Sequence, residues 1–397
     1  MTDQTRVCDD EVFSREAVRN ARAVDDGLRE LAPVVRLSRE RISIVGRYDH
    51  VAAALRDWRG FSSRSRPWHD PESVRPEILL VDDPPRHTDV RGVISKALAP
   101  SALSAMAARF NADADTLIGG MAARAGGGEP VDAVAEITQA FVYKVLPDVL
   151  GLPQDGREHL YAFGHMVWAT LGPPNDLFEE ALRGTGPVIE WVDQCCDRRN
   201  LDPQGLGMQM FLAADAGLIT EPEAKLLVQV LLSAAADTTV MTMATALRAF
   251  SLFPEQYRLL RAEPQLLRGA FEESLRWDSP SRMAGRIATR DIEIEGCRIP
   301  QGERCGLLFA AANRDPRKWA DPERFDIRRD NRAHLGWGFG IHACVGRALA
   351  LLEADALLGA CIRHIERFEP AGEPVPWMSA IGHGPARLPL HITRTAA

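Results

Sequence analysis

The chain has 397 residues, 46% of them hydrophobic and 26% charged, enough for a large buried core in an ordinary globular protein. Its 47 basic and 55 acidic residues leave a net charge of −8, and no basic stripe with interleaved aromatics occurs, which argues against a nucleic-acid partner. Seven cysteines without a CxxC pair suit a reducing cytoplasm, and the N-terminus carries no apolar stretch of signal-peptide length, so the expected setting is cytoplasmic, without export or membrane attachment.

In chain order, residues 1–100 mix helical pieces with two strand-like runs at 34–38 and 41–46, whose β-branched content predicts a β-hairpin. Residues 101–275 read as Ala/Leu-rich helices, separated by Gly/Pro breaks near 126–130, 151–153, 172–175 and 202–205. The longest apolar stretch, 226–253, is interrupted by Gln229, Asp237, Thr238, Thr239 and Arg248, which predicts a buried central helix rather than a membrane span. Alternation returns at 287–310 and predicts a small antiparallel sheet over 292–300. A polar loop over 313–332 and a helix over about 345–364 follow. No repeat or linker divides the chain, so the expectation is a single domain over 1–397, mainly α with a minor β region.

Chemistry concentrates before the last helix. There Trp337-Gly-Phe-Gly-Ile-His-Ala-Cys344-Val-Gly-Arg-Ala-Leu-Ala350 sets one cysteine in a glycine-pinned loop. Gly338 and Gly340 permit tight turns, and Gly346 leaves room for a flat ligand. A cysteine near a helix N-terminus is expected to have a depressed pKa and to make a good anionic metal ligand. The other six cysteines read as small buried hydrophobes.

This run, from Gly336 onward, resembles the haem-binding loop FGxGxHxCxGxxLA of the cytochrome P450 family, with Trp337 where phenylalanine is usual. The resemblance extends over nearly the whole chain, with the motifs in family order. Ala234-Ala-Ala-Asp237-Thr238-Thr is similar to the family's [AG]GxDT motif, with Ala235 at the usual glycine. It implies that Asp237 relays protons and that Thr238 hydrogen-bonds dioxygen, its hydroxyl also reaching the i−4 carbonyl. Glu273 and Arg276 match the structural ExxR pair, expected to lock onto the loop at 322–325. His87 and Arg91, on one face of a helix, and Arg286 and His342 match the positions that meet the haem propionates.

The fold implied is the P450 fold, with haem b between the long central helix and the cysteine-side helix, its iron on Cys344. The reaction implied is insertion of one oxygen atom of O2 into a C–H bond, with electrons from an iron–sulfur ferredoxin and its reductase. Lacking the anchor of eukaryotic members, the chain resembles the soluble bacterial type, and Arg347 and Arg363 are candidate ferredoxin contacts.

Several stretches, among them 172–177, 231–234 and 279–280, are similar to bacterial members that oxidise para-substituted benzoic acids. In those enzymes an arginine and serines hold the carboxylate. Here Arg75 and Ser233 remain, but Glu77 would repel a carboxylate and Val230 offers no donor. Ala284 and Gly285 stand where bulky aromatics are expected, so the pocket should be larger, walled by Leu80, Trp168, Leu171, Val230, Ala234 and Ile381. A neutral methoxyphenol-type aromatic ether is the expected substrate, undergoing O-demethylation or hydroxylation, with Glu77 or Gln229 accepting a phenolic hydrogen bond. The alternatives are a para-substituted benzoic acid monooxygenase and a peroxide-driven haem-thiolate peroxygenase.

Overall fold

The longest apolar run folds into one continuous helix, Glu221–Leu252, of 32 residues. It starts earlier than hydropathy predicts because Thr220 and Glu223 cap its N-terminus reciprocally, with Pro222 in the first turn. At about 1.5 Å per residue, a helix of this length crosses a whole domain. Leu206–Asp215, Leu267–Trp277, Ala140–Leu150 and Leu160–Thr170 all pack on it. Its most apolar window would suffice for a membrane span by composition, yet 72% of that window is buried within the protein. Its hydrophobicity therefore serves packing, as the interrupting polar residues predict.

The computed structural model describes residues 3–64, 78–124 and 129–395. Helices dominate, and the strands are short. The hairpin forms as expected, Val35–Leu37 pairing antiparallel with Ile42–Val45. It supplies the second and third strands of a six-stranded sheet ordered Arg6–Cys8, Val35–Leu37, Ile42–Val45, Arg304–Leu308, Met283–Ala288, Phe61–Ser62. The stretch at 287–310 thus divides. Ile292–Ile294 pairs with Cys297–Ile299, whereas the flanking strands Met283–Ala288 and Arg304–Leu308 join the large sheet. A second sheet, not foreseen, joins Val131–Asp132 to the C-terminal strands Ile365–Pro370 and Pro389–Arg394.

Leu267–Trp277 carries the pair that locks this core. Glu273 and Arg276 are fully buried and form two parallel hydrogen bonds of 2.8 and 2.9 Å. Arg276 also donates to the carbonyls of Asn313, Pro322 and Arg324, and Glu273 accepts from the Asp326 amide and the Arg329 guanidinium. With both charges paired and hydrogen-bonded, burial is tolerated, and the loop before the cysteine is tied to the helix behind it.

Candidate active site

Between the long helix and the cysteine loop lies a cavity of about 340 Å³. The long helix contributes Ser233, Ala234, Thr238 and Thr239. The loop contributes Trp337, His342 and Cys344, and the strand Met283–Ala288 contributes Ala284, Gly285 and Arg286. Leu80, Trp168, Leu171 and Ile381 close the apolar wall.

The loop keeps its shape through backbone geometry that few residues tolerate. Gly338 and Gly340 have φ of +66° and +70°, and a Cβ at Gly340 would collide with the Leu55 carbonyl. The Cys344 amide donates to the Trp337 carbonyl at 2.7 Å, closing the turn. Gly346 differs: a Cβ there would meet only the Cys344 sulfur at 3.8 Å, an ordinary contact, so the protein itself does not require glycine at that place.

Glu272, which sequence reasoning passed over in favour of its neighbour, clamps the loop. Its carboxylate accepts from the Trp337 indole at 2.5 Å and from Arg347 at 2.7 Å, and it pairs with His334 at 2.6 Å. Burial pushes this acid up, but the bonds from His334 and Trp337 and the Arg347 charge outweigh it and hold it below the usual range. The tryptophan that departs from the resembled motif thus makes a bond that phenylalanine has no donor to make. Nothing in the local sequence signals it.

The Cys344 side chain opens onto the cavity. Desolvation by the walls raises its thiol above the ordinary value, although the Gly346 and Arg347 amides and the Arg91 guanidinium pull it down. The local amides act in the direction expected from the helix terminus, while desolvation by the walls acts against them on a side chain that is exposed to the cavity.

Beside the sulfur stands a group of two arginines and two histidines. Arg286 is 7% exposed and, burial being the main cause, is pushed down to about 10; its guanidinium donates to its neighbour's carbonyl, Gly285, at 2.7 Å. The Arg91 guanidinium donates to the Ala343 carbonyl. The rings of His87 and His342 meet edge-on at 4.6 Å, and His342 reaches Ser63 at 2.9 Å. Burial, then the Arg286, His87 and Arg91 surroundings, push His342 down to about 3. His87 Nε2 is buried with no hydrogen-bond partner among the described residues. A buried arginine, Arg286, a half-buried one, Arg91, and an orphaned ring nitrogen, with Asp83 the one acid acting on Arg286, form a cradle for anionic groups.

On the opposite wall the Thr238 hydroxyl donates to the Ala234 carbonyl at 2.7 Å, as the i−4 spacing predicts. Asp237, one residue earlier, does not line the cavity. It is 2% exposed and accepts a hydrogen bond of 2.8 Å from Tyr143. Burial raises it to about 7, with the Tyr143 bond acting in the other direction. Val230 also falls outside the wall and packs into the surrounding core. Arg75 and Glu77 lie outside the described residues. Arg347 and Arg363 are exposed but already paired, with Glu272 and Asp115.

A family model described as Cytochrome P450 matches residues 196–381. Cytochrome P450 CYP199A2 of Rhodopseudomonas palustris is 39% identical over 92% of this chain and 89% of its own length. The chain belongs to the cytochrome P450 family. Cyclomarin C epoxidase CymV of Salinispora arenicola is 32% identical over 91% of this P450 and 93% of its own chain. The structure of cytochrome P450 CYP109Q5 from Chondromyces apiculatus superposes with a TM-score of 0.82 at 30% identity, covering 98% of this chain and 99% of that one.

This P450 is accordingly a monooxygenase whose cofactor is haem, its iron ligated by a cysteine thiolate. The cavity fits that group. Cys344 is the cysteine that opens onto it, and the Arg91, Arg286, His87 and His342 cradle lies beside the sulfur with one ring nitrogen still unpartnered among the described residues.

Proposed function

We propose that this P450 acts as a single-domain, cytoplasmic, O2- and ferredoxin-dependent monooxygenase of small aromatic substrates, and that its preferred substrate is a neutral methoxyphenol-type ether, which it O-demethylates. Cys344 would ligate the iron, and Arg91, Arg286, His87 and His342 would meet the propionates. Haem bound in this way supplies reductive activation of dioxygen and insertion of one oxygen atom into a substrate C–H bond. On a methoxy carbon, the hydroxylated product is a hemiacetal that collapses to the phenol and formaldehyde.

The chain's own side chains supply position and protons. Thr238 Oγ1 stands at the cavity edge with its proton shared with the Ala234 carbonyl, ready to pass a hydrogen bond to an oxygen in the cavity. Asp237, buried and raised to about 7, exchanges a proton near neutral pH. An iron–sulfur ferredoxin, with its reductase, would deliver electrons on the cysteine side, where Arg347 and Arg363 are exposed.

The observation that carries the substrate reading is the chemistry of the wall. Ser233, Thr238 and Thr242 each donate their hydroxyl proton to a carbonyl of their own helix, at 3.2, 2.7 and 2.7 Å. Towards the cavity they offer acceptor lone pairs. Arg286, the cation among the described lining residues, belongs to the cradle. A phenolic hydroxyl finds an acceptor on this wall, whereas a carboxylate finds no free cation among the described lining residues and would be desolvated there without a partner.

Titration of the ferric holoenzyme with a methoxyphenol and the matching methoxybenzoate, following the haem spin state, tests this. A low-to-high-spin shift with the phenol and not with the acid is expected. The reverse pattern would restore the benzoic acid reading and assign the carboxylate to Arg75 and Ser233.

A further inference from the structure

Asp237 occupies a slot that the sequence motif does not explain. Tyr143, on Ala140–Leu150, donates to its Oδ1 at 2.8 Å. Gly164, on Leu160–Thr170, lacks the Cβ that would overlap the Asp237 carboxyl. The other oxygen, Oδ2, is buried with no hydrogen-bond partner among the described residues. The acid is thus parked between two helices, one residue round the long helix from Thr238, by a single neutral donor and one missing methyl.

We propose that Tyr143 is a positioning residue of the monooxygenase reaction, holding the Asp237 carboxyl in the Gly164 slot until side-chain rotation carries it round the helix towards Thr238. This rests on the reading of Asp237 as the proton relay.

The chemistry of the slot suits a latch. A residue adjacent in sequence sits about 100° away round the helix, so reaching the Thr238 side takes a rotation that breaks the Tyr143 bond. One hydrogen bond from a neutral phenol holds less firmly than an ion pair with a buried cation. The groups that act on the slot are Tyr143, Tyr161 on the facing helix, and the carboxyl itself. On the other side of the long helix the acid Glu353 approaches Thr239.

Burial and Asp237 push the Tyr143 phenol far up, so it keeps its own proton and serves as lock rather than carrier. In each transfer the Asp237 O–H bond breaks and its proton goes to an oxygen on the Thr238 side. The carboxylate then takes one proton from solvent water and returns to the slot.

The test is infrared titration of the protonated-carboxyl band in the ferric holoenzyme, assigned by its loss in Asp237→Asn, alongside the pH profile of turnover. The Tyr143 bond favours the carboxylate, so Tyr143→Phe should move the band's midpoint upward by about one to two pH units. The alkaline limb of kcat should move with it. An unmoved band overturns the role of Tyr143 and leaves the relay reading standing. A band that moves while the kcat limb stays fixed overturns the relay reading, and the proposal with it.

Gly164→Ala supplies a second check, since its methyl group expels the carboxyl from the slot. On that background Tyr143→Phe should add no further shift in the turnover profile, and an added shift would show that Tyr143 acts by another route.

Discussion

On the cysteine-side helix, Arg347–His364, Glu353 has no exposed surface, and the Thr239 hydroxyl approaches its carboxyl without completing a hydrogen bond. Burial, against that weak Thr239 contact, raises it to about 8. A folded value above the unfolded one, about 4.3, means that the neutral acid is tolerated at low pH. Stability is then lost as pH rises from about 4.3 towards 8, at about 1.4 kcal/mol per unit as an upper rate. Glu353→Gln removes this slope. The melting temperature of the variant should gain on the parent steadily between pH 5 and pH 8, and parallel curves would refute the assignment. At this scale the sequence was legible where a motif names a residue and its neighbours define the surroundings, as for Cys344, Thr238, Glu273 and Arg276. It was not legible for Glu272, Tyr143 or Ser63, whose partners lie 65, 94 and 279 residues away. Asp237 shows the boundary between the two. Its place in the motif is plain, but the side to which its carboxyl turns depends on Gly164 and Tyr143.

At the scale of elements, the N-terminus of the long helix does more than begin it. The Glu223 carboxylate accepts from the Thr220 amide and hydroxyl at 2.7 and 2.9 Å, and also from Arg86, the first residue of Arg86–Ala97. That second helix carries His87 and Arg91 to the cradle. Glu223→Ala should cost about 1–2 kcal/mol, combining the lost cap with an ion pair that is partly exposed and therefore discounted. Chemical denaturation reads the loss, and the spin-state response to substrate should survive it. Periodicity and breakers predicted the interior of this helix well. The start was misplaced because the cap lies in a polar stretch where hydropathy is silent. The strands flanking 292–300 were likewise visible as alternating residues, but their pairing with Phe61–Ser62 and Ile42–Val45, 225 to 262 residues away, leaves no local trace.

At the scale of the whole molecule, Arg282 joins the parts that enclose the cavity. It is 1% exposed and grips Asp25 through three hydrogen bonds of 2.7–3.0 Å. It also donates to the carbonyls of Ala380 and Val12. The N-terminal helix Ala21–Leu31, the strand Met283–Ala288 and the segment carrying Ile381 thereby meet at one guanidinium. Asp25→Ala leaves that charge buried and unpaired, which should cost about 3–5 kcal/mol. A matching fall in melting temperature is expected, and a change under 1 kcal/mol would mean that the pair is dispensable.

The sequence by itself determined the family, the mainly helical class, the buried central helix and the cysteine, Cys344, that is proposed to hold the iron. Each of these is written in local pattern: hydrophobic period, glycine spacing, and residues fixed a few positions apart. Only the tertiary structure decided which polar groups face the cavity, that Cys344 opens onto it, and that Asp237 is turned into a slot. Those outcomes depend on desolvation and on partners brought together from distant parts of the chain, and both arise only when the helices and sheets pack.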